Sequence, residues 1–129
     1  LTTTDVVLAM APFLSRGMKK SAEALDNVND VARLTPKPGT AGGPGAGKRF
    51  SEATKDAARA ESGNRCVFCG TETTRQPGSR QSQIDHAHPK SRGGNNTLDN
   101  AQNTCAPCNQ TKKARTTDEF VNWVKGLFR

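Results

Sequence analysis

Apolar positions along the chain fall into short, separated groups, which predicts brief elements rather than long ones. In 4–14 and 20–34 they follow helical spacing, with Asp5 placed to begin the first helix and Leu25, Val28 and Ala32 on one side of the second. Residues 35–47, with five Gly and three Pro, carry no period at all and read as a linker without helix or sheet. A helix is predicted from Ser51, a candidate N-cap, to Gly63, a stop. Residues 71–82 suit a hairpin-like excursion through a Pro-Gly turn, and Gln83 to His88 a short strand. A polar loop over 89–99 follows, then a helix opening near Pro107. The last helix begins at the capping box Thr116-x-x-Glu119, with Phe120, Trp123, Val124 and Leu127 turned inward. The expected organisation is an N-terminal helical segment (1–34), a Gly/Pro-rich linker (35–47) and a domain over 48–129.

Composition sharpens this picture in two ways. Only 33% of the 129 residues are hydrophobic, with five Phe, one Trp and no Tyr, so the core must be thin and in need of another stabiliser. The formal charge of +7 favours a polyanionic partner, and it is unevenly placed: residues 48–129 hold 14 Lys and Arg against 8 Asp and Glu, residues 1–47 only 5 against 4. No apolar run is long enough to span a membrane. The opening V-V-L-A-M-A-P-F-L run lacks a preceding basic segment, so no ordinary signal peptide is expected. A start at Leu1 rather than Met suggests a fragment of something longer.

All four cysteines sit in two Cys-x-x-Cys pairs, Cys66 with Cys69 and Cys105 with Cys108. A closed tetrahedral site of four thiolates accounts for every one of them, and Zn²⁺ is the metal for such a site without redox work. Disulfides within each pair would close tiny loops and stabilise little, while a redox dithiol motif needs a βαβ pattern that this Gly- and Asn-rich region lacks. A structural zinc would contribute on the order of 10 kcal/mol to the folding of so small a domain.

Between the pairs lies I-D-H-A-H-P-K-S-R-G-G-N-N-T-L-D-N. Hydrolysis of a phosphodiester needs an activated water and a cation on the phosphate, and Asp85, His86 and Asn109 are residues that can supply these. Strand alternation sets Asp85 and His86 on opposite faces unless the strand bends. His88 would share the face of His86 in a regular strand. Lys90, Arg92, Lys112, Lys113 and Arg115 flank the motif as candidate phosphate contacts or as plain solvated charges. Trp123 and Phe120 have helical spacing and read as core.

Taken together, the Asp-His strand, the Gly-Gly loop, Asn100 and the flanking cysteine pairs resemble the HNH endonuclease motif (His-Me finger, ββα-metal) over about residues 48–115. That resemblance implies a small α+β ββα-metal nuclease domain stapled by a Cys₄ zinc site. His86 would be the general base and Asp85 a catalytic-metal ligand. Asn100 would tie the loop backbone so that the base is oriented, and Asn109 would complete the ion site. Two oxygen ligands suit Mg²⁺ or Mn²⁺. Departures from the fuller pattern are Asn at the final position and Lys113 where some relatives carry another His. The expected substrate is DNA, cut with little sequence specificity by a monomer, with RNA left open. The arrangement also resembles the C-terminal toxin tips of polymorphic, Rhs-type effectors, which implies delivery into the cytoplasm of a target bacterium and a cognate immunity protein. Phage or restriction-type HNH nucleases, and a non-catalytic zinc module binding nucleic acid, are the alternatives.

Overall fold

The computed structural model describes residues 35–127, so the two helices expected within 1–34 lie outside the described residues. Ser51 caps helix α1 (Glu52–Glu61) by accepting the Thr54 amide at 3.1 Å. The helix stops where Gly63 and Asn64 take φ of 63° and 60°. Strands β1 (Ser82–His86) and β2 (Ala101–Cys105) pair antiparallel, in a register that sets Asp85 opposite Gln102 and His86 opposite Ala101. Helix α2 (Ala106–Lys112) follows β2 without a loop, and α3 (Thr117–Gly126) closes the fold on the Thr116/Glu119 capping box. This small α+β arrangement, a two-stranded sheet with three helices and a cysteine cluster, is that of a ββα-metal fold.

Buried apolar side chains form two groups. One joins Val67, Phe68, Phe120 and Val124 around the cysteines; the other joins Phe50, Ala58 and Ala101, with Ile84 and Leu98 against them. β2 lies between the groups and is buried along its whole length despite the sequence A-Q-N-T-C. Its polar side chains are tolerated because each is bonded. Asn103 donates to Ser62 Oγ, the Arg65 carbonyl and Thr73 Oγ1 at 3.1 Å each, and accepts Ser82 Oγ–H at 2.6 Å.

Five details differ from the sequence expectations. The strand expected to reach His88 ends at His86. β2 was not anticipated, since it lacks apolar alternation and has Thr104 as its only branched residue. Leu127, expected inside, is 51% exposed because α3 ends before it. Residues 35–47 contain no helix and only an isolated bridge, Ala41 to Gly94, yet they lie against the body rather than apart from it. The Gly42 amide donates to the Gly93 carbonyl at 2.9 Å, the Gly47 amide to the Gly94 carbonyl at 3.0 Å, and Lys37 Nζ reaches Glu61 at 2.8 Å. Glycine makes this approach feasible, for a Cβ on Gly45 would stand 2.1 Å from Asn96 Oδ1. The excursion over 71–82 closes through Thr74, whose amide donates to Arg80 and whose carbonyl accepts from Ser82, not through a two-stranded ladder.

Candidate active site

The knuckle at 66–70 is built by backbone bonds that turn the chain sharply: the Gly70 amide donates to the Cys66 carbonyl at 2.9 Å, with Gly70 at φ 77°. The Phe68 amide points at Cys66 Sγ, 3.4 Å away. β2 and the start of α2 deliver Cys105 and Cys108 to the same point. All four sulfurs lie within 4.8 Å of one another, and Cys69 Sγ is 3.7 Å from Cys105 Sγ. Bonds of about 2.3 Å to a tetrahedral zinc would separate sulfurs by about 3.8 Å, so the cluster fits such an ion. Burial pushes the Cys66 thiol well up, while sulfur hydrogen bonds, that of Cys105 first, push Cys69 down. A cation at the centre of the four sulfurs would favour their thiolate forms. Among the described residues this is the one cluster of three or more His, Cys, Asp or Glu groups able to hold a metal.

Asp85 and His86 point to opposite sides of β1, as alternation requires. Asp85 faces α2 and is 6% exposed. Its Oδ2 accepts Gln102 Nε2 at 2.9 Å and lies 3.1 Å from Lys112 Nζ, which also stands 3.3 Å from Oδ1 and 3.2 Å from the His86 carbonyl. Burial raises the Asp85 pKa, opposed by the Lys112 charge, and burial lowers that of Lys112, opposed by Asp85. Lys112 was expected among the flanking, solvent-facing cations; it is instead fully buried as the counter-ion of Asp85. A carboxylate offers about four acceptor positions; these contacts use three, leaving one on Oδ1. Asn109, on the same side, donates through Nδ2 to Gln83 Oε1 at 3.0 Å. Asp85 and Asn109 bring oxygen donors only to this side of β1, one carboxylate and one carboxamide, the kind of donor that a hard dication takes.

His86 faces the other way, onto Phe50, with ring centroids 3.9 Å apart and planes 17° from parallel. Its Nε2 lies 3.0 Å from the Lys48 carbonyl oxygen. A carbonyl only accepts, so Nε2 carries the hydrogen and the neutral ring presents Nδ1 as its free base. Burial lowers the His86 pKa against the Lys48 bond and the Asp85 charge, favouring that neutral form.

Asn100 is fully buried and uses its whole carboxamide. Oδ1 accepts the His88 amide at 2.8 Å and the Thr40 amide at 3.0 Å; Nδ2 donates to the Asn95 carbonyl at 2.8 Å and the His88 carbonyl at 3.1 Å. One side chain thus ties the loop that leaves β1 to the loop that enters β2. The His88 ring turns to the Arg92 carbonyl at 3.0 Å, away from a regular strand direction.

The remaining cations separate. Lys90 and Lys113 are exposed, Arg92 pairs with Glu119 on α3, and Arg115 donates to the Thr111 carbonyl at 2.9 Å with its guanidinium 4.5 Å from the Trp123 ring centroid. Lys113 leaves α2 at φ 54° and does not continue the helical face of Asn109. Sequence reasoning missed the Lys48 carbonyl, Phe50, Gln102 and Gln83. A lone aromatic before α1 was the one available signal.

Set beside known families, this geometry has a counterpart. Residues 66–124 match the model of the HNH endonuclease family. No significant match was found among curated proteins or solved structures. The HNH match begins at the first cysteine and includes Asp85, His86, Asn100, Asn109 and both cysteine pairs. With the cysteine cluster it supports an HNH nuclease. Lys48, Phe50 and Thr40, which hold His86 and Asn100, precede it.

Proposed function

We propose that the chain is a metal-dependent HNH endonuclease that hydrolyses DNA phosphodiester bonds with little sequence specificity. The observation that carries this reading is His86, held within the HNH match with Nε2–H committed to a backbone carbonyl and Nδ1 left basic, one residue from a buried carboxylate. His86 Nδ1 takes the proton of the attacking water. By the HNH resemblance Asp85 and Asn109 are the residues that would hold Mg²⁺ or Mn²⁺, which when bound would neutralise charge developing on the scissile phosphate; they lie on the other face of β1 from the His86 ring, so the reading requires the end of β1 to turn when substrate binds. Asn100 orients the loop that carries His88 and its neighbours, and the four cysteines hold Zn²⁺ as a structural ion. Low specificity is supported by a basic chain without an evident base-reading element, and RNA is the second polymer to assay.

The proposed setting is delivery as an interbacterial toxin, with an immunity protein protecting the producer. It is supported by the resemblance to effector tips stated above. The testing experiment is plasmid nicking by zinc-loaded protein. Cleavage should appear with added Mg²⁺ or Mn²⁺ and stop with EDTA, and expression in an unprotected bacterium should kill it. No cleavage of DNA or RNA with any divalent ion would favour a non-catalytic zinc module.

A further inference from the structure

Helix α2 has two working faces. Cys108, Asn109 and Lys112 face the sulfurs and the Asp85 side of β1, whereas Ala106, Pro107, Gln110 and Thr111 line a groove of about 600 Å³ on the opposite side. Gly78, Ser79 and Gln81 of the 71–82 excursion and Trp123 of α3 also line it. Two charged residues line it, Lys113 and Arg115, and no carboxylate does. The remaining polar lining consists of amides and hydroxyls, which donate readily to phosphate oxygens.

Both cations are placed in ways that a merely solvated charge would not require. Arg115 is pinned by the Thr111 carbonyl at 2.9 Å and by the Trp123 face, so part of its guanidinium is fixed and its other donors remain for a ligand. Lys113 ends α2 at φ 54°, ψ −134°, a conformation that Gly adopts freely and a residue with a Cβ does not. Positive φ with extended ψ is ordinarily given to Gly. Here a long cation stands there, at a cost to the fold, and its side chain lines the groove.

We propose that this groove is a second phosphate-binding site, in which Lys113 and Arg115 hold the phosphodiester backbone of a nucleic-acid strand on the side of α2 away from Asp85. The site deepens the nuclease reading and rests on it only for the identity of the polymer. It lets a strand be gripped at a point other than the bond being cut.

The test uses the full zinc-loaded chain carrying His86→Ala, so that binding is measured without cleavage, and a short labelled DNA duplex and an RNA hairpin as probes. Lys113→Gly should raise the melting temperature by a few degrees and make the log–log salt dependence of binding shallower by about 1. Lys113→Arg should keep the slope, and Arg115→Gln should also reduce it by about 1. Loss with both probes marks backbone recognition; loss with one alone assigns the groove to that polymer. A stabilised Lys113→Gly protein with an unchanged slope on both probes overturns the proposal and leaves the groove to a protein partner. A lowered melting temperature overturns it too, because the strain at Lys113 would then not exist. Cleavage by the parent chain is scored separately. Nicking that persists beside an unchanged slope removes the groove and keeps the nuclease, and a shallower slope without any nicking does the reverse.

Discussion

His86 is restrained at two different atoms, its ring plane by Phe50 and its Nε2 by the Lys48 carbonyl, and the consequence is a base whose reactive nitrogen is chosen before substrate arrives. Because burial lowers its pKa, the neutral ring persists below the ordinary value of about 6.5, and protonation as pH falls through that lowered value removes the base. The acid limb of the cleavage–pH profile should therefore have its midpoint below about 6.5; a midpoint above it would contradict the placement. Lys112 carries the opposite lesson, a cation whose value lies in being unseen by solvent. Lys112→Met would strand the Asp85 carboxylate in the interior and should cost about 3–5 kcal/mol in urea denaturation, with Asp85→Asn/Lys112→Met recovering part of the loss. Equal stability of the single variant and the parent would mean that the pair is solvated. Glu119 is exposed but held to about pKa 2 by Arg92 and by the Thr116 amide. Its folded value is depressed, so its contribution is present above the unfolded carboxylate range and is lost as pH falls toward about 2. Glu119→Gln should flatten the acid unfolding curve in that window.

At the scale of elements, the Gly/Pro segment explains most about where sequence reading succeeds and stops. Its composition excludes helix and strand, and α1, β1, α2 and α3 follow from caps, spacing and Pro107 in the same way. Composition does not reveal that glycines serve close approach as well as flexibility. A Cβ on Gly39 would stand 2.5 Å from the His88 nitrogen and 2.9 Å from Asn100 Oδ1, whereas one on Gly42 would meet nothing, though both have φ near 90°. Gly39→Ala should thus destabilise clearly more than Gly42→Ala, which should cost only about 1–2 kcal/mol of backbone strain. Thermal melts that place the two together would contradict the close approach of residues 35–47 to the body. β2 escaped the sequence because its burial depends on Asn103 and Gln102 finding partners at the C-cap of α1, on β1 and on α3, information that lies far along the chain. Asn100 was legible through its motif, while the Lys48 carbonyl that holds His86 has no side-chain signature at all.

The described residues stand on a thin core, and the cysteine cluster and the candidate catalytic residues are expected to be separable in experiment though Cys108 and Asn109 are neighbours on α2. Removing zinc should unfold the chain cooperatively, and purified protein should contain about one zinc per chain. The central claim is that His86 is the base of a metal-dependent phosphodiester hydrolysis. It is tested most directly by plasmid nicking with His86→Ala beside the parent, at equal zinc content, equal melting behaviour and saturating Mg²⁺ or Mn²⁺. The account predicts nicking by the parent and a loss of at least about two orders of magnitude in the variant with DNA binding retained. Cleavage by the folded, zinc-loaded variant at the parent rate would contradict it.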